Sequence, residues 1–125
     1  DRQAGTMKGG TKPKAGKDRV VPIHSKTRAL VEARLAEGGP RLIGYNGRAC
    51  SQTQYRVFWA DIMKALEMNH TPHECRHTFE TQLDSAGANR KCIDLLMGHV
   101  SKDTGNRVYN HKTLDELKAA VELME

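Results

Sequence analysis

The sequence predicts a mainly α-helical α+β fold with a small antiparallel β-hairpin at its N-terminus, and three features predict it. Gly5 to Ile23 is a Gly/Lys/Pro-rich turn region leading into Arg19-Val20-Val21-Pro22-Ile23, a β-branched run stopped by proline. From Ser25 onward apolar residues recur at helical rather than strand spacing. Most of these helical stretches open on Ser or Thr, and most close on Gly, the residue types that satisfy helix ends. At 125 residues and 38% hydrophobic, the chain suits one small domain with a modest core.

After the hairpin, Ser25 is the expected N-cap of a helix over Lys26–Glu37, in which Leu30, Val31, Arg34 and Leu35 give the helical spacing and Gly38-Gly39-Pro40 gives the stop. This helix reads as architectural. Leu42-Ile43 reads as a short strand or buried turn, and Asn46-Gly47 is a strong turn signal. Ser51 caps a helix through about Glu67, with Tyr55, Phe58, Trp59, Ile62, Met63 and Leu66 on its apolar side. Aromatics at that spacing are more often core than a base-stacking platform, so Trp59 is assigned to the core.

Thr71-Pro72 reads as the N-cap and first residue of a helix that Gly87 ends. Cys75, Phe79 and Leu83 recur every fourth residue in it and define an expected buried stripe. Arg90–Met97 reads as a further helix closed by Gly98-His99, and Ile93, Leu95, Leu96 and Met97 continue the core. Thr113 caps a last helix, Leu114–Met124, with Leu114, Leu117, Val121 and Met124 as its apolar stripe and Glu116 completing a capping box. No internal repeat is evident.

Net charge is +5, and its distribution is uneven. Residues 1–28 carry eight Lys/Arg against two Asp, whereas the sequence from Leu114 onward is acidic. A basic stretch of this kind fits a polyanionic partner such as nucleic acid, although standing alone it reads rather as a solvated lysine-rich hairpin. No apolar run approaches membrane-spanning length and no signal-peptide core is present. Three cysteines without a C-x-x-C pair point to a reducing, cytoplasmic setting. The start at Asp1, without an initiator Met, reads as an excised fragment.

Residues suited to chemistry concentrate between Thr71 and His111. His73 and Arg76 fall three apart on the opening turn of a helix, where unpaired N–H groups favour an anion. His73-Glu74-Cys75-Arg76-His77 also satisfies H-E-x-x-H, in which two histidines would bind zinc and Glu74 would act as general base. A third metal ligand is not obvious beyond Asp94 or His99. His77 reads as a core or supporting histidine, His24 as exposed, and His70 and His111 carry no signal of their own.

In order and spacing, His73-Glu74-Cys75-Arg76 followed by His77, then Leu96-Met97-Gly98-His99, then Asn106-Arg107-Val108-Tyr109, resemble the tyrosine recombinases, the phage integrase family. The likeness runs from about Lys12 to the C-terminus. It implies a recombinase catalytic-domain-like fold truncated at the N-terminus: one partial domain over 1–125, with a hairpin region 1–24, a helical catalytic body 25–111 and a C-terminal helix 112–125. The implied activity is site-specific recombination of double-stranded DNA through a 3′-phosphotyrosine, of phage or mobile-element type, with self-association on DNA as a synaptic tetramer of the parent enzyme.

The resemblance further implies roles for residues. Tyr109 would be the nucleophile, Arg76 and His99 the donors to phosphate oxygens, His73 the general base and Lys14 the general acid, with no metal or cofactor. Lys14 fits the family's K-x-x-K-x-x-x-x-P spacing to Pro22, and Lys12 and Lys17 remain rivals. The family's first catalytic arginine, upstream of the hairpin, has no counterpart here, so this chain alone is expected to be inactive or nearly so. A noncatalytic DNA-binding module keeping the same fold stands as a third reading beside the recombinase and the zinc hydrolase.

Overall fold

The structure, a computed structural model, describes residues 1–9, 19–38, 42, 44–45, 47–99 and 112–125. The described residues form two compact units, one of residues 1–26 with 76–125 and one of residues 27–75.

In the first unit, β1 (Thr6–Gly9) and β2 (Arg19–Pro22) pair antiparallel, with Thr6 opposite Pro22 and Gly9 opposite Arg19. The expected hairpin is therefore present, and its proline sits at the end of the ladder, where a missing N–H costs least. Val21 turns inward against a core made by three helices. These are α3 (Pro72–Ser85), of which Arg76 onward belongs to this unit, α4 (Arg90–Met97) and α5 (Leu114–Glu122). Leu83, Ile93, Leu96 and Val121 are fully buried, joined by Cys92, Met97, Leu117 and Ala120. The stripe expected on α3 is graded: Leu83 is buried and Phe79 half-buried, but Cys75 is exposed. Periodicity marks the face of a helix, and the length of that face that is covered depends on where the partner helices end.

The helix ends follow local rules. Gly87 and Gly98 both take the left-handed conformation, with φ of 75° and 66°. After each, the next residue's N–H reaches back five positions, Ala88 to the Leu83 carbonyl and His99 to that of Asp94, which satisfies carbonyls the helix leaves open. Thr113 and Glu116 make the full reciprocal capping box at the start of α5.

The start of α1 (Ser25–Ala36) departs from expectation. Ser25 was expected to cap the helix; instead its N–H and Oγ both donate to the Glu122 carboxylate of α5, at 2.8 and 2.6 Å. His24, expected to be exposed, has only 12% of its side chain accessible. Its Nδ1 accepts the Lys26 N–H at 3.0 Å, so Nε2 carries the hydrogen and donates to the Met124 carbonyl at 3.0 Å. The open N–H groups at the start of α1 are thus met by His24, next door in sequence, and by Glu122, a long-range partner that no local pattern encodes.

The second unit holds α1 from Thr27, a small hairpin of β3 (Gly44–Tyr45) and β4 (Arg48–Ala49), and α2 (Gln52–Ala65). The strands flank Gly47, whose φ is 72°; Leu42, expected with Ile43 in a short strand or buried turn, is a half-buried bend, and Ile43 and Asn46 lie outside the described residues. Arg34 of α1 donates to the Gly44 carbonyl at 3.2 Å. Ser51 caps α2 through a reciprocal box with Gln54.

Neither α1 nor α2 has a buried residue, which corrects the expectation of a core on α2. Leu30 is 69% exposed, Ile62 50% and Leu66 58%. Trp59, assigned to the core, is half-buried and spends its indole N–H on the His70 carbonyl at 2.6 Å. An amphipathic pattern says which face is apolar; whether an opposing layer covers it is a tertiary matter.

Candidate active site

The first turn of α3 carries His73 and Glu74. Pro72 is the first helical residue, as the Thr-Pro pair predicts, and Glu74 folds back on Thr71, accepting from both its N–H and its hydroxyl. The His70 ring lies 3.2 Å from the other carboxylate oxygen. The Thr71 backbone N–H is the largest cause of a pKa lowered from 4.5 to about 2, followed by the hydrogen bond to His70. A carboxylate that acidic is a poor proton acceptor near neutrality, and its oxygens already serve the helix start. Engaged at the helix start in this way, Glu74 is poorly placed to serve as the general base of the H-E-x-x-H reading. Among the described residues, no three His, Cys, Asp or Glu side chains are grouped to hold a metal ion.

His73 is exposed in that turn, and His77, expected in the core or in support, is exposed as well. One helical turn places His77 on the side of α3 away from the Phe79–Leu83 stripe, and sequence spacing alone does not say how much of a helix is covered.

Arg76 is half-buried, and its guanidinium donates from Nη2 to the carbonyl of Met97, the last residue of α4. Met97 is 2% exposed, so this arginine satisfies a carbonyl that water does not reach readily. The two residues after Met97 are Gly98, whose left-handed conformation turns the chain, and His99, placed directly beyond the turn. The H-x-x-R element and the Gly-His element, read from sequence as separate signals, are thereby joined at the end of α4.

The His99 ring has neighbours that sequence reading missed. Its Nδ1 lies 3.9 Å from Oε1 of Glu80 and 3.9 Å from Oδ1 of Asp94. Arg90 holds those same two oxygens, with Nη2 at 3.1 Å from Glu80 and Nε at 3.3 Å from Asp94, and also lies 3.9 Å from Asp84. The signals that could have found this cluster are spacings of four residues: Arg76 to Glu80 on α3, and Arg90 to Asp94 on α4. Each alone reads as an ordinary surface pair.

Lys14 and its rivals Lys12 and Lys17 lie outside the described residues, between the paired ends of β1 and β2. Tyr109 and His111 lie outside them too. Of the five residues singled out for chemistry, the first unit brings Arg76 and the His99 segment together, and His73 stands three residues before Arg76 in the same helix. No helix among the described residues is long and apolar enough to cross a membrane.

Comparison with known proteins adds a further finding. The family model described as the phage integrase family matches residues 2–116. The chain is similar to a tyrosine recombinase XerD of Vibrio vulnificus, 28% identical over 118 residues, covering 84% of this chain and 38% of that protein. It is similar also to a tyrosine recombinase XerC of Pelobacter propionicus, 34% identical over 112 residues, covering 83% and 37%. A tyrosine recombinase XerC of Staphylococcus saprophyticus is 30% identical over 115 residues, covering 84% and 38%. The chain therefore spans less than two fifths of the length of these curated relatives. No solved structure matches it.

Proposed function

Because this chain belongs to the phage integrase family, we propose that it carries strand-transfer chemistry of site-specific DNA recombination, with double-stranded DNA as partner. The observation that carries this reading is the Arg76 hydrogen bond to the Met97 carbonyl, which ties the H-x-x-R helix to the Gly98-His99 turn. Two cationic or donor side chains held on one compact unit suit a phosphate whose charge grows in the transition state.

In the proposed step the Tyr109 phenol oxygen attacks the scissile phosphorus. A Tyr109 oxygen–phosphorus bond forms, and the bond from phosphorus to the 5′-oxygen breaks. His73 takes the phenolic proton, and Lys14 gives a proton to the departing 5′-oxygen. A phenol near its ordinary pKa of about 10 is a weak nucleophile, hence the need for a base. Arg76 and His99 donate to the non-bridging oxygens, and Arg76 stays charged throughout because guanidinium does not lose its proton. The phosphodiester energy is kept in the protein–DNA bond, so rejoining needs no metal or cofactor. The basic residues of the hairpin region supply contacts to the DNA backbone.

Self-association of the parent enzyme on DNA belongs to the same proposal. The relatives' names support recombination as such; they lend no support to a phage or mobile-element role.

The test is a suicide DNA substrate incubated with the full-length protein and run on a denaturing gel. A covalent adduct that disappears in Tyr109→Phe is expected. An adduct that persists in Tyr109→Phe would sink the assignment. DNA binding with no adduct would favour the noncatalytic module.

A further inference from the structure

Taking His99 as a donor to phosphate, as proposed above, we infer that Glu80 is a positioning residue. With Asp94, and braced by Arg90, it turns the His99 ring so that Nδ1 faces the carboxylates and Nε2 is left for the phosphate. Two oxygens from different helices, Glu80 Oε1 of α3 and Asp94 Oδ1 of α4, lie at the same 3.9 Å from Nδ1. At that distance neither is a formed hydrogen bond, so the effect is that of their charge on the ring. The three side chains are 25%, 28% and 33% accessible for Glu80, Asp94 and His99, partly shielded from solvent that would screen a fully exposed pair.

The consequence is chemical. A neutral imidazole with a bare Nδ1 would point a lone pair at two carboxylate oxygens, so the hydrogen resides on Nδ1. Nε2 can then donate to a phosphate oxygen only from the doubly protonated ring.

The cluster also explains Arg90. Glu80, Asp84 and Asp94 would together repel DNA from the neighbourhood of His99, and Arg90 contacts all three. It fixes the two oxygens that face Nδ1 and offsets part of their charge. On α3 the division of labour is by one helical turn: Arg76 grips the carbonyl before Gly98 and Glu80 faces the ring after it.

The experiment is nitrogen NMR of the His99 ring in the chain at about pH 9, above the ordinary histidine range near 6.5. It is combined with the rate of Tyr109 adduct formation in the full-length protein. The wild-type ring is expected as the Nδ1–H tautomer. Glu80→Gln is expected to move it toward Nε2–H and to slow adduct formation by about 10-fold or more, as loss of an outer partner of a functional histidine commonly does. Binding of the DNA substrate should stay the same or tighten, because a negative charge has been removed. Asp94→Asn should act in the same direction and serves if Glu80→Gln fails to fold. A wild-type ring already in the Nε2–H form, or variants that leave the ring signal unchanged, would overturn the inference. If wild type forms no adduct at all, the recombinase reading fails, while the ring signal still decides the role of Glu80.

Discussion

Arg76 has a structural duty as well as a proposed chemical one. Its Nη2 satisfies the carbonyl of Met97, a residue 2% exposed, at the point where α4 gives way to the Gly98 turn. Arg76→Met keeps most of the apolar stem and removes the donor, leaving a shielded carbonyl unpaired, which costs about 1–3 kcal/mol. Urea denaturation should show that loss, and an unchanged midpoint would mean water replaces the guanidinium at no cost. Arg76→Lys should recover little of it, since an ammonium on a flexible stem does not reproduce the planar fork. The residue was legible in sequence through H-x-x-R; its bond to Met97, twenty-one positions on, was not.

Capping carboxylates give the helices their pH dependence. Glu116 accepts from Lys112, at 2.7 Å, and from the Thr113 N–H, and Lys112 is the largest cause of its lowered pKa. Glu122 is lowered chiefly by the Ser25 hydroxyl and Glu74 chiefly by the Thr71 N–H. Each has a folded-state pKa below its unfolded one. Its contribution is therefore complete above the ordinary value of 4.5 and is lost as pH falls through the depressed value, about 2 for Glu74. Helix content followed by circular dichroism should decline over that acid range. Thr113→Ala removes the reciprocal cap of α5 and should cost about 1 kcal/mol at neutral pH. A deficit for Thr113→Ala that stays the same at pH 7 and at pH 2 would contradict the coupling of this cap to Glu116. The Thr113–Glu116 box was readable locally; the Ser25–Glu122 pairing joins residues 97 apart and was not.

Across the whole molecule the apolar residues divide between two fates. In the unit of residues 1–26 and 76–125, α3, α4 and α5 enclose Ile93 at 0% exposure. In the unit of residues 27–75, Leu30 is 69% exposed on a helix without a buried residue. Ile93→Ala should cost about 2–5 kcal/mol, the range for emptying a close-packed aliphatic site. Leu30→Ala, with no cavity to leave, should fall within about 0.5 kcal/mol of wild type. Equal effects of the two on a denaturation midpoint would show that the burial pattern does not describe the folded chain in solution.

The sequence by itself determined what short-range physics controls. Helix starts at Pro72 and after Ser51 and Thr113 and the glycine stops at Gly87 and Gly98 depend on a few neighbouring residues, and the family signature lies in the order of His73, Arg76, His99 and Tyr109. Only the tertiary structure decided which apolar faces are covered, why His24 is shielded, and that Glu80, Arg90 and Asp94 gather around His99. Those outcomes depend on which elements meet. A helix face or a charged side chain has the same local pattern whether or not a partner arrives, so the spacing of residues cannot choose between them.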